Sequence, residues 1–134
     1  MKAHENILVF YKKLPTYNPQ MRDGQPYVCK SGRGSANYRD QQSVVTVNGG
    51  DRYPLDVLKY PSDKGLHPTQ KPVALCEYLI KTYTNPGEVV LDNCMGSGTT
   101  AVACIRTGRN YIGYELDPKY HAIALERIAA EVPR

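Results

Sequence analysis

Two carboxylates, Asp92 and Glu115, flank the segment Gly96-Ser97-Gly98 in this chain of 134 residues. Glycines let a ligand approach the backbone, and a helix that starts just beyond them offers unbonded N–H groups and a positive dipole end to an anionic group. Glu115 is suited to accept hydrogen bonds from two ribose hydroxyls. Asp92, at the mouth of the turn, would repel a pyrophosphate but hold an ammonium. Gly96-Ser97-Gly98-Thr99-Thr100-Ala101 also satisfies the loose dinucleotide pattern G-x-G-x-x-G/A, a weak signal on its own. A zwitterionic amino-acid end, with its ammonium at Asp92 and its carboxylate at the helix start, fits better, which favours S-adenosylmethionine over NAD. The structural alternative leaves Asp92 capping the helix or turn and Glu115 paired with a surface Lys or Arg.

Those residues need an α/β scaffold. The apolar run Val89-Val90-Leu91 predicts a strand that ends in Asp92, Thr99 to Thr107 predicts a helix closed by Gly108, and Tyr111 to Tyr114 predicts a second strand stopping at Glu115. Ligands of open α/β sheets sit at such strand ends. Pro72 fits the first position of a helix whose inner face carries Val73, Cys76, Leu79, Ile80 and Tyr83, ended by Asn85-Pro86-Gly87. Asp117 caps a further helix from Pro118, with Tyr120, Ile123, Ala124 and Ile128 turned inward. Upstream, Ile7 to Phe10 predicts a strand buried on both faces. Residues 14–65 are rich in Pro, Gly, Asn, Ser and Tyr and read as a loop-rich insertion. Within it, Val44 to Val47 predicts a strand entering a hairpin turn at Asn48-Gly49-Gly50, with Tyr53 to Tyr60 as a return strand interrupted by Pro54.

Composition sets the class. With 41% hydrophobic and 22% charged residues the chain reads as one ordinary globular domain, or part of one. It has neither an eighteen-residue apolar run nor a signal peptide, so a cytoplasmic location without membrane association is expected. Cys29, Cys76, Cys94 and Cys104 lie far apart, which predicts reduced and mostly buried thiols, and with His4, His67 and His121 scattered no metal site is expected. Residues 1–64 carry ten Lys or Arg against six acids, and residues 65–134 seven against seven, so the net +4 resides in the first half. That half also holds six of the eleven tyrosines. A basic, Tyr-containing surface is a footprint for nucleic acid, with a plain solvated surface as the alternative.

Three segments then carry a family: His67-Pro68-Thr69-Gln70-Lys71-Pro72, Val89 to Cys104, and Tyr111 to Ile128. In this order and spacing they resemble the DNA methyltransferases that modify exocyclic amino groups of adenine or cytosine, in the permuted order where target recognition precedes cofactor binding, of the phage or prophage type. HENILVFYKK (4–13) and RYPLDVLKYP (52–61) are similar to the segments flanking that family's target-recognition region. The resemblance implies a partial Rossmann-like S-adenosylmethionine-dependent methyltransferase sheet divided into 1–13 as a strand of the catalytic half, 14–65 as target recognition, and 66–134 as the cofactor half. It implies that Asp92, Asn93, Cys94, Gly96, Ser97, Gly98 and Thr99 line the methionine end of the cofactor, that Glu115 holds the ribose, and that Thr69 and Lys71 reach the cofactor carboxylate. Double-stranded DNA would be contacted by Lys30, Arg33 and Arg39. The chain departs from the common Asp-Pro-Phe by having Asn93-Cys94 after Asp92.

The family's catalytic tetrapeptide, Asp/Asn/Ser-Pro-Pro-aromatic, has no counterpart, because Pro-Pro occurs nowhere in these 134 residues. The expectation is therefore the C-terminal portion of a permuted enzyme, inactive alone, associating with a complementary N-terminal polypeptide or with itself as a homo-oligomer. Two other classes stay open. One is a non-catalytic DNA-binding module built on a methyltransferase scaffold, and the other a dinucleotide-dependent oxidoreductase.

Overall fold

The computed structural model describes residues 4–31, 44–61 and 65–132, which fall into two units: Pro19–Leu58, and the flanking segments up to Asn18 and from Lys59. The described residues of the Pro19–Leu58 unit form four short strands, β1 (Arg22–Asp23), β2 (Tyr27–Ser31), β3 (Val44–Asn48) and β4 (Asp51–Arg52). β2 pairs antiparallel with β3, from Tyr27 opposite Asn48 to Ser31 opposite Val44, and β1 pairs antiparallel with β4. The expected strand at Val44 is present, but its partner precedes it and no return strand forms over Tyr53 to Tyr60. Asn48 explains the difference. Its Oδ1 accepts from the Gly50 N–H at 2.9 Å and its Nδ2 donates to the Asp51 carbonyl at 3.1 Å, so the chain turns away from β3 onto β1. Pro54, which has no N–H to donate, follows directly. Arg52 fastens the turn by donating to Asn48 Oδ1 and the Gln25 carbonyl, with its guanidinium 4.8 Å from the centre of the Tyr27 ring.

The other unit holds α1 (Val73–Tyr83), β5 (Val89–Asp92), α2 (Thr99–Thr107), β6 (Asn110–Gly113) and α3 (Pro118–Glu131). β5 and β6 are parallel neighbours, in register from Val89 opposite Asn110 to Asp92 opposite Gly113, and α2 is the crossover between them. The strand pleat sends Val90 and Tyr111 to one face, where they pack on Ile80 of α1 and on Ala103 and Cys104 of α2. Val89, Leu91 and Ile112 point the other way and are exposed. A second cluster joins Met95, Ala101 and Ala124, with Tyr111 and Ile128 against it.

The helix ends follow their capping residues. Gly108 adopts a left-handed φ of 71° after α2, a conformation that costs an L side chain about 1–2 kcal/mol and costs glycine little. Asp117 Oδ1 accepts from the Lys119 N–H at 2.8 Å and Pro118 opens α3. Pro72 sits one position earlier than expected, as the extended residue before α1, with ψ at 134°. Tyr120, Ile123, Ala124 and Ile128 do line the inner side of α3.

Two expectations fail here. Ile7 to Phe10 forms no strand, and all four residues are exposed, Phe10 at 87%. An apolar run becomes a strand only where a ladder takes up its N–H and C=O groups, and none of the strands among the described residues pairs with it. Nor are the thiols mostly buried. Cys104 is, but Cys29 stands on the open two-stranded ribbon and Cys94 on the turn after β5, and both are exposed. All four are unbridged. Burial, with the Cys76 thiol beside it, pushes the Cys104 thiol up to about 11.

Candidate functional site

β5 delivers Asp92 and β6 leads to Glu115, and backbone pairing carries on past both strands. The Tyr114 N–H donates to the Asp92 carbonyl and the Met95 N–H to the Tyr114 carbonyl, each at 2.9 Å. The intervening turn is fixed by the two acids. Asp92 Oδ1 accepts from the Cys94 N–H at 3.0 Å and Oδ2 from the Thr100 hydroxyl at 2.6 Å. Glu115 divides its oxygens, Oε1 accepting from the Asp117 N–H and Oε2 from the Gly96 N–H, both at 2.8 Å. The Asp117 and Gly96 amides hold the Glu115 carboxyl below the usual glutamate range, against a smaller opposing effect of desolvation. Asn93 and Cys94 project into solvent at the tip of the turn.

The glycines have protein neighbours. Gly98 lies at a φ of 79°, and a Cβ there would come 3.0 Å from the Cβ of Ala124, so its missing side chain makes room for α3. A Cβ at Gly96 would meet the His67 ring at 3.4 Å. The room that the sequence reserves for a ligand at these two positions is thus partly taken by α3 and by the His67 segment. Met95 is held in a comparable way: a Cβ on Gly113 would collide with its sulfur, so the side chain of the turn fills the gap left on β6.

Ser97 and Thr99 are buried, at 2% and 7% exposure, and their hydroxyls turn inward. Ser97 Oγ donates to Gln70 Oε1 at 3.2 Å, and Arg127 Nη1 of α3 donates to the Ser97 carbonyl at 2.7 Å, to Ser97 Oγ at 3.0 Å and to Thr99 Oγ1 at 3.3 Å. His67 stacks edge-on against Tyr120 with ring centres 4.2 Å apart, and its Nδ1 accepts from the Thr69 N–H at 3.2 Å. Lys71 ion-pairs with Glu5 at 2.5 Å in an exposed position.

The structure therefore brings Asp92, Asn93, Cys94, Gly96, Ser97, Gly98, Thr99 and Glu115 into one turn, with Thr69 tied to it through His67. Lys71 is drawn to Glu5. Lys30 is exposed on β2, whereas Arg33 and Arg39 lie outside the described residues. Sequence reasoning missed His67, Gln70, Thr100 and Arg127. Arg127 carried one usable signal: it follows Ala124 by three positions on the face of α3 already read as inward. Among the described residues no three His, Cys, Asp or Glu side chains gather as metal ligands, and no helix is long and apolar enough to cross a membrane.

A parallel β-loop-α-β unit with an acid at the end of its first strand and another two residues past its second, both fastened to the turn between them, is of the Rossmann-like methyltransferase class. The family model for DNA methylases, the N6/N4 methyltransferases, matches residues 1–126, and the chain belongs to that family. It is 45% identical to the DNA adenine methyltransferase YhdJ of Escherichia coli over 131 residues, covering 93% of this chain and 44% of that protein. It is 33% identical over 132 residues to the type II methyltransferase M.HpaI of Haemophilus parainfluenzae, covering 96% of this chain and 39% of that protein. Among solved structures, the M1.HpyAVI complex with SAM matches at 49% identity and a TM-score of 0.50, over 54% of this chain and 36% of that one. The chain spans less than half the length of these curated relatives.

Proposed function

We propose that these residues are the S-adenosylmethionine-binding and DNA-contacting part of a DNA methyltransferase acting on an exocyclic amino group. The observation that carries this is the pair of strand-end acids, Asp92 and Glu115, both bonded to the glycine turn between them. Each carboxylate offers about four lone-pair positions, and the two bonds given to each leave room for further donors. Glu115 would accept the ribose hydroxyls. Asp92 would take the ammonium of the methionine end. The N-terminus of α2, a helix of nine residues, would face the carboxylate, with Thr69 and Lys71 approaching it from the 67–72 segment once Lys71 leaves Glu5. When bound, the cofactor supplies a methyl group activated on a sulfonium. The 45% identity to a protein named as an adenine methyltransferase favours adenine as the target.

The basic stretch around Lys30, Arg33 and Arg39 would supply phosphate contacts that set register on double-stranded DNA. Phosphate binding alone does not position an amine for attack. The target nitrogen needs acceptors for its hydrogens and an aromatic ring on the flipped base, the parts a Pro-Pro-aromatic element provides, and these 134 residues contain no Pro-Pro. Catalysis by this part therefore requires that element, and its place is the cytoplasm, where DNA and S-adenosylmethionine meet.

Calorimetric titration of the chain with S-adenosylmethionine, beside NAD and beside a Glu115→Ala variant, tests the cofactor assignment. Saturable binding of the methyl donor that is absent for NAD and lost in the variant is expected. Equal binding of NAD, or binding indifferent to Glu115, would sink it.

A further inference from the structure

We infer that Gln70, Ser97 and Arg127 form a positioning clasp that holds the glycine turn in its ligand-ready shape; this rests on the cofactor reading above and adds to it how the site is kept in place. Two segments remote in sequence converge on Ser97, which lies 27 residues from Gln70 and 30 from Arg127. Its side chain is buried, and a hydroxyl has one proton to give. That proton goes to Gln70 Oε1, so the oxygen is left to accept from Arg127 Nη1. The same guanidinium nitrogen takes the Ser97 carbonyl at 2.7 Å and reaches Thr99 Oγ1 at 3.3 Å. Bonds from a charged donor are shorter and stronger than neutral ones, and these fall on the residues just before and just after Gly98.

The turn needs such a device. Two of its residues are glycines, whose backbone freedom makes an ordered conformation entropically costly. Gly98, the N-cap of α2, is moreover in the left-handed region and packs directly against Ala124 of α3. Arg127 is one turn along α3 from Ala124 and joins the same helix to the carbonyl of Ser97. The clasp fixes where the Gly96 N–H meets Glu115 and where the first N–H groups of α2 point. Its members are positioning residues. The side chain of Ser97 faces the protein interior, and its part in ligand binding is carried by the shape it imposes.

The test combines S-adenosylmethionine titration with backbone amide exchange of the ligand-free chain, for wild type, Arg127→Met, Arg127→Lys and Ser97→Ala. Loss of charge-assisted bonds predicts binding weakened about tenfold or more in Arg127→Met, with Arg127→Lys, which keeps a cationic donor, within about threefold of wild type. Ser97→Ala added to Arg127→Met should cost less than its effect alone, since the two act as one unit. Amides of Gly98 and Thr99 should exchange faster in Arg127→Met and in Ser97→Ala, with those of α1 unchanged. Wild-type binding by Arg127→Met, equal loss in the Met and Lys variants, or uniform acceleration across the chain would overturn the clasp. A wild-type chain that ignores S-adenosylmethionine would overturn the cofactor reading instead, and amide exchange would then decide the clasp by itself. Should Arg127→Met fail to fold, Ser97→Ala decides: unchanged exchange at Gly98 and Thr99 overturns the inference.

Discussion

The carboxylate of Glu115 and the backbone amide of Gly96 are bonded at 2.8 Å across nineteen residues of sequence. The acid two residues beyond β6 is thereby tied to the turn that follows β5, and its ionisation bears on the turn's stability. Because the Asp117 and Gly96 amides lower its folded-state value below the reference of 4.5, the unfolded chain binds more protons near that pH. The contribution is therefore fully present above pH 4.5 and is lost as pH falls through the folded value. Urea midpoints measured from pH 3 to 7 should fall less steeply on the acid side in Glu115→Gln than in wild type. Parallel acid limbs would contradict this.

Gly98→Ala combines an unfavourable backbone region with a steric clash. A left-handed φ costs an L residue about 1–2 kcal/mol, and the approach to Ala124 adds to it, so a loss of about 2–3 kcal/mol in urea unfolding is expected. Pairing it with Ala124→Gly should recover at most a part of the loss, because the left-handed φ and the approach to the Ala124 Cα at 3.2 Å remain and the new glycine lies inside α3. Full recovery would mean the backbone conformation costs nothing.

The thiols should sort by environment. Cys29 and Cys94 are exposed and should alkylate readily at pH 8, whereas Cys104, buried and with its thiol pushed up to about 11, should react only after denaturation. Mass spectrometry after timed iodoacetamide treatment reads this directly. Under the cofactor reading, saturating S-adenosylmethionine should slow Cys94 and leave Cys29 as it was. Protection of both, or of neither, would count against that assignment.

Lys30 is expected to act as a phosphate contact without base preference. Its replacement by Ala should weaken DNA binding about equally across sequences and reduce the slope of log affinity against log salt by about one. An unchanged slope would remove Lys30 from the interface.

Local chemistry was legible in the sequence wherever a residue acts on its own neighbours. Asp117, Pro118 and Gly108 mark helix ends because a cap works within one turn, and the pattern from Val89 to Gly113 mirrors the strand-helix-strand order. Long-range partners were not legible. Nothing in Val44–Val47 says that Tyr27–Ser31 will pair with it, and nothing in Ser97 points to Gln70 or Arg127. Ile7 to Phe10 shows the same limit from the other side: apolar, β-favouring residues describe a strand's composition, but a strand also needs a neighbour.

Met95 resting over the bare backbone of Gly113 gives the turn a mechanical property. Side chain and strand interlock, and the Met95 N–H is bonded to the Tyr114 carbonyl at the same point, so swinging the turn away from β6 requires Met95 to lift off Gly113 and give up that bond. Opening becomes a cooperative event that lifts Met95, breaks the end of the β5–β6 pairing and releases Asp92 and Glu115 together. An opening that lifted Met95 would thus take the turn partners of both acids away together.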